Sequence, residues 1–232
     1  MRLIRTTALT ALTAIAGVLL VSSPAFSAAP DDLPALKAVV TARIDLRLAA
    51  LSKDSAAVTA AKHLTDADKS SLTSLITADT TAMNSLKTKV AGETTAAGVK
   101  ADATSMVNDY RIFILVGPKV RLAIAGDAEQ AAITKLRSVH DKLAELVAKA
   151  KAAGKDTAAA EQNLADMLAA LDKATSDING QVVTLLAIQP GPDGAAIRAK
   201  VASVRRALGA GRADLRAAVL EARQVRRFLK SL

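Results

Sequence analysis

The chain has 232 residues, 51% of them hydrophobic and 23% charged, with 2% aromatic residues and no cysteine. That balance excludes an intrinsically disordered chain, and the missing cysteine excludes both a disulfide framework and a lipid-modified cysteine anchor. A formal charge of +9 points toward anionic partners.

Residues 1–29 read as a secretory signal peptide that is removed. Arg2 and Arg5 precede an apolar stretch from Ala8 to Val21, and "PAFSAAP" offers small residues for cleavage near Ser27–Ala29. The apolar stretch is shorter than the ~20 residues of a membrane span. No later segment is long and apolar enough to cross a membrane, so the expected location is extracytoplasmic.

After "PDDLP" helical periodicity takes over, and strand alternation is almost absent. A first helix begins at Asp31 or Asp32, accepts Pro34 in its first turn and runs to about Lys62. Its stripe is Leu33, Leu36, Val40, Ile44, Leu48, Leu51 and Val58. Thr65, with Asp68 three places on, caps a second helix, which ends near Gly92 and carries Leu72, Leu75, Ile76, Met83, Leu86 and Val90. Thr94 or Thr95 starts a third, with Val99, Ala103, Met106, Tyr110 and Phe113 on one face.

"DYRIFILVGPKVRLAIAG", residues 109–126, holds the sole tyrosine and the densest aliphatic run after the leader. It also holds Pro118. The apolar stripe continues on both sides of Gly117–Pro118 with no polar turn residues around the pair, which favours a kinked, nearly continuous helix over a hairpin. Past it come Leu122, Ala125, Ala132, Leu136, Val139, Leu143, Leu146 and Ala150. "AAGKDT" ends this helix, with Gly154 in a left-handed position and Asp156 or Thr157 capping the next. Leu164, Met167, Leu171, Ala174, Ile178, Val182 and Leu185 form a further single stripe, and "QPGPDG" at 189–194 is a loop.

The expected fold is therefore all-α, with five or six long helices in antiparallel bundles. With the kink, two three-helix halves (30–117 and 118–232) share a helix bent at Gly117–Pro118; with a hairpin there is one up-and-down bundle.

Few residues point to chemistry. His63 and His140 have no second histidine three or four places away, as helical metal sites usually require, and "AAGKDT" lacks the glycine and the strand of a phosphate loop. No cofactor, metal or catalytic constellation emerges, and a non-enzymatic role is expected. The alternative is a carrier of a small apolar ligand held near Met106, Tyr110 and Phe113.

The last helix, residues 195–232, is different. Its apolar residues fall at 197, 201, 204, 208, 211, 215, 218, 222, 225, 229 and 232, the alternating steps of a heptad seam. Arg198, Arg205, Arg212 and Arg226 line one flank, widened by Arg206, Arg216, Arg223, Arg227 and Lys230. The segment carries ten basic and two acidic side chains, a net +8, so the excess charge of the protein sits here. Three readings follow: pairing with Glu161, Asp166, Asp172 or Asp177; an anionic envelope polymer or lipid surface; or a protein partner, including a second copy of the chain. Nucleic acid is not expected for an exported chain with so few aromatic residues.

The leader, "DYRIFILVGPKVRLAIAGD" and "AAGKDT…LADM" together resemble the uncharacterised secreted, Ala-rich helical proteins of high-GC Gram-positive bacteria. The resemblance implies an exported helical protein and assigns no site residues. The expected function is an exported interaction or structural protein, associated with the cell envelope through its basic C-terminal helix.

Overall fold

A computed structural model describes residues 32–232; the expected signal peptide lies outside the described residues. The described chain is all-α. In order it comprises α1 (Leu33–Ala60), α2 (Asp66–Gly92), α3 (Ala96–Asn108), a π-helical turn (Ile112–Val116), α4 (Gly117–Ala152), α5 (Ala158–Ile178), the short α6 (Gln181–Leu186) and α7 (Gly194–Lys230). Five of these helices are long, with 28, 27, 36, 21 and 37 residues in α1, α2, α4, α5 and α7.

Side chains cap the starts of α2, α3 and α7, whereas Asp32, the expected cap of α1, makes no side-chain capping bond. Thr65 Oγ1 accepts the Asp68 N–H at 3.1 Å, while the Thr65 N–H donates across the structure to Asp127 Oδ2 at 2.9 Å. Thr95 caps α3 through the Gly98 N–H. Asp193 Oδ1 accepts the N–H groups of both Ala195 and Ala196 at the start of α7. Such caps satisfy donors that the first helical turn leaves open.

Two expectations are corrected. The first concerns the joint. Backbone geometry stays helical through Val116 and Gly117, and Pro118 lies in the first turn of α4. The break falls earlier, at Asp109–Arg111, where Arg111 adopts the left-handed conformation at φ 48°. The π turn explains why the proline causes no break of its own. Gly117 N–H reaches back five residues to the Ile112 carbonyl, and the widened turn relieves the clash between a proline ring and the preceding turn. Arg111 is held in its rare conformation from outside. Its guanidinium donates to the Gly191 and Pro192 carbonyls of the loop before α7, and to Asn108 Oδ1.

The second correction is that the stripe from Leu164 to Leu185 is not one helix. α5 ends at Ile178, and Gly180 takes φ 74°, open to glycine without a Cβ penalty, before α6 begins. The buried face of α4 keeps the expected Leu143 and Ala150 but elsewhere is turned by about one residue from the expected one. Ala123, Gly126 and Val147 are buried, whereas Leu122 and Ala125 are half-buried and Leu146 is exposed. Small residues occupy this seam because α4 approaches its neighbours closely. A Cβ on Gly126 would come within 2.7 Å of Val182 and 3.5 Å of Leu208.

Two apolar cores result. One gathers α1, α2 and α3 with Ile112, Val116, Val120, Ala123 and Val182. The other gathers Leu115, Ile133, Leu143 and Val147 with α5, Leu185, Ile188 and α7. The π turn and α4 supply both. Gly126 lies against Leu208 and Glu129 bonds Arg212, so α4 and α7 advance in register and run parallel.

In the second core α7 packs closely on α5. A Cβ on Gly211 would meet Ile178 Cγ1 at 2.5 Å and the Ala174 carbonyl at 3.4 Å. Ile178 is itself buried, so it has little room to yield. Gly211→Ala should therefore lower stability by about 1 kcal/mol, overpacking outweighing the helix-propensity gain of alanine. Urea unfolding followed by circular dichroism would show this, and Ile178→Val in the same chain should recover part of the loss.

Candidate functional site

α7 divides cleanly into a buried seam and a basic arc. Ile197, Val201, Val204, Leu208, Gly211, Leu215, Ala218, Ala222 and Val225 are all buried as the heptad requires, while Leu229 is half-buried and Leu232 exposed. With 201 and 204 as heptad positions a and d, Arg198, Arg205, Arg212 and Arg226 take position e. Arg216, Arg223 and Lys230 take b, and Arg206 and Arg227 take f. These three positions are contiguous around a helix. Asp214 and Glu221, the two acids of α7, both fall at g on the other flank.

The acids expected to neutralise the arc are engaged elsewhere or lie apart from it. Glu161 pairs with Lys151, Asp172 with Arg137, and Asp166 accepts from Gln162. Arg212 does turn inward, but to a different partner. Its Nε and Nη2 donate to Glu129 Oε1 of α4 at 2.8 and 2.6 Å. Arg198, Arg205, Arg206, Arg216, Arg223 and Arg226 are exposed and make no ion pair among the described residues, and Arg227 bonds Gln224 one turn back. The row is therefore not continuous. Arg212 is absorbed by Glu129, and Val219 occupies the next e position. What remains is an N-terminal group around Arg198, Arg205 and Arg206 and a C-terminal group beyond Arg216.

The C-terminal group frames a shallow open depression of about 510 Å³, lined by Leu220, Arg223, Arg226, Arg227 and Lys230. Leu220, 54% exposed, lies at its N-terminal edge.

The residues of the alternative ligand pocket are not brought together. Met106 is sealed in the first core. Tyr110 borders a groove between α2 and α3 whose lining includes Lys89, Ser105 and the buried Asp102, but neither Met106 nor Phe113. Phe113 is 49% exposed beneath the Arg47 guanidinium, 5.0 Å from its ring centroid. This departs from the expectation that Met106, Tyr110 and Phe113 share one helical face. The helical face they were read on ends at Asn108, and the left-handed Arg111 swings Phe113 outward. His63 is exposed, and His140 Nδ1 lies 3.1 Å from Asp141 Oδ1. Among the described residues no group of three potential metal ligands occurs.

Sequence reasoning missed a set of buried charges. Asp54 of α1, Asp79 of α2, Asp102 of α3, and Lys119 and Glu129 of α4 are all buried. Lys119 Nζ donates to the Leu186 carbonyl at 2.8 Å, tying α4 to the end of α6. Burial lowers its pKa, and the Asp79 charge opposes that shift. Burial pushes Asp79 up to about 6, partly offset by Lys119, and its Oδ2 has no hydrogen-bond partner. Burial also raises Asp54, against the opposing charge of Arg121. Asp102 receives Lys89 Nζ at 2.5 Å. A signal was present. Asp54, Asp79 and Glu129 each occupy the position where the apolar register calls for a core residue, between Leu51 and Val58, Ile76 and Met83, and Gly126 and Ile133. Lys119 is 4% exposed, so its amine acts as a tie between helices rather than as a group open to a substrate.

No protein-family model, curated protein or solved structure matches the chain.

Proposed function

We propose that this is an exported, non-enzymatic helical protein that associates with anionic envelope surfaces through the basic arc of α7. One observation supports the reading above others. The helix buries nine positions of its apolar seam, Ile197 to Val225, yet leaves six arginines of the arc exposed and without ion-pair partners among the described residues. Charges that served only to hold α7 in place would be matched by carboxylates on α4 and α5, as Arg212 is. The described residues contain no helix long and apolar enough to cross a membrane, so the association is peripheral in this reading.

The test is a seven-fold variant, Arg198, Arg205, Arg206, Arg216, Arg223, Arg226 and Arg227 all changed to Gln, with Arg212 kept. Gln has nearly the helix propensity of Arg, so the melting temperature should stay close to that of the parent. Sedimentation with anionic vesicles and with purified cell-wall polymer at low salt should be lost. Binding by the parent should fade as salt shortens the screening length. A parent protein that ignores every anionic surface at low salt refutes the reading.

A further inference from the structure

We propose, resting on the reading above, that the protein docks to an anionic phospholipid surface through the exposed face of the last three turns of α7, with Leu220 entering the interface beside Arg223, Arg226, Arg227 and Lys230. Leu220 is the observation that selects a lipid. An exposed leucine beside a row of cations adds nothing to the capture of a soluble phosphate polymer. At a bilayer the same leucine buries its methyl groups while the long arginine and lysine stems snorkel to the phosphates.

The rest of the tip agrees. α4 runs parallel to α7 and α5 returns from the tip, so the C-terminal turn of α4 and the loop containing Gly154 lie at the same end as Lys230. Lys155 of that loop has no ion-pair partner among the described residues, and Leu232 at the chain end is 51% exposed. A helix C-terminus draws basic residues by itself, but its dipole amounts to only about half a charge. Four cations between 223 and 230 leave most of their charge for a partner.

Docking through the last turns of α7 separates the two groups of the arc. Arg206 and Arg223 are about 26 Å apart at 1.5 Å per residue, beyond the ~8 Å over which charges are felt at physiological ionic strength. The experiment measures the binding of the full mature chain to vesicles of neutral phosphatidylcholine, to vesicles with added anionic phosphatidylglycerol, and to soluble polyphosphate. Anionic vesicles should bind and neutral ones should not. Arg223→Gln/Arg226→Gln/Arg227→Gln/Lys230→Gln should weaken vesicle binding at least about 100-fold, at roughly fivefold per cation near the surface. Leu220→Gln should weaken it about fivefold and leave polyphosphate binding unchanged. Arg198→Gln/Arg205→Gln/Arg206→Gln should weaken vesicle binding at least about tenfold less than the C-terminal set does, and circular dichroism should show every variant folded. Equal losses from the N-terminal and C-terminal sets would overturn docking through the last turns of α7. A silent Leu220→Gln, or tight polyphosphate binding without vesicle binding, would overturn the lipid while leaving the anionic-surface reading intact. Binding to none of the three would sink both.

Discussion

Arg212→Gln is expected to destabilise the fold by about 3 kcal/mol at pH 7, although Arg212 sits on the same helix flank as arginines whose loss should be nearly silent. The difference lies in Glu129. Its carboxylate is 7% exposed, its Oε1 takes both guanidinium bonds, and its Oε2 has no partner. Burial raises its pKa, and only Arg212 opposes that shift. Without the arginine, a carboxylate is left in the interior with neither water nor a counter-charge. Arg212 itself is half-exposed, which places the effect at the low end of those seen for broken buried pairs. The loss should shrink as pH falls, because a protonated Glu129 no longer needs a cation. Glu129→Gln in the Arg212→Gln background should recover most of the stability at pH 7. Urea unfolding at pH 7 and pH 4.5 measures all of this. A single variant within about 0.5 kcal/mol of the parent would class the bridge with ordinary surface pairs.

Asp79 should give the protein an unusual pH profile. Its folded-state pKa is raised to about 6, above the ~3.9 of an unfolded aspartate. The native state therefore binds its proton more tightly. That stabilisation is fully present below pH ~4 and is lost as pH rises through 6. Asp54, Asp127 and Glu129 are raised in the same sense, whereas Glu145 and Glu161 are lowered by surface lysines. Asp79 alone should make the parent about 1.4 kcal/mol more stable near pH 5 than at pH 7.5, and Asp79→Asn should flatten that slope and raise stability at pH 7.5. Burial outweighs the Lys119 attraction in setting the shift, which is why a gain is expected. Should Asp79→Asn instead weaken the fold at pH 7.5, the attraction to Lys119 dominates and the argument fails.

Periodicity made α7 legible. Its eleven-position seam was readable because the heptad spacing holds without interruption, and even Gly211 fell where a close helix contact requires it. The caps at Thr65 and Thr95 were readable because each acts on an N–H three residues away. What escaped depends on distant groups. Arg111 is not a turn residue, and it holds its conformation through carbonyls 80 residues further on. Pro118 drew attention to a break that the π turn absorbs. Glu129 claims one arginine of the row from 83 positions away, and neither residue type nor spacing could announce it. Asp54 and Asp79 were passed over as gaps in their stripes, although an acid at a core position is itself information.

The division of the interior has a consequence for the order in which the chain acquires structure. Nearly every buried residue of the first core comes from positions 36–123, and Val182 is the exception. A chain emerging from its N-terminus thus has almost all of that core before α5 appears. The contacts within it are mostly local helix pairings, of the kind that form fast. Arg111 cannot close its clamp until Gly191 and Pro192 arrive. Its left-handed conformation, unfavourable by about 1–2 kcal/mol on its own, is therefore among the last features fixed. The bend between the first three helices and α4 stays adjustable until the final loop latches it, so one arginine registers that the C-terminal half has assembled.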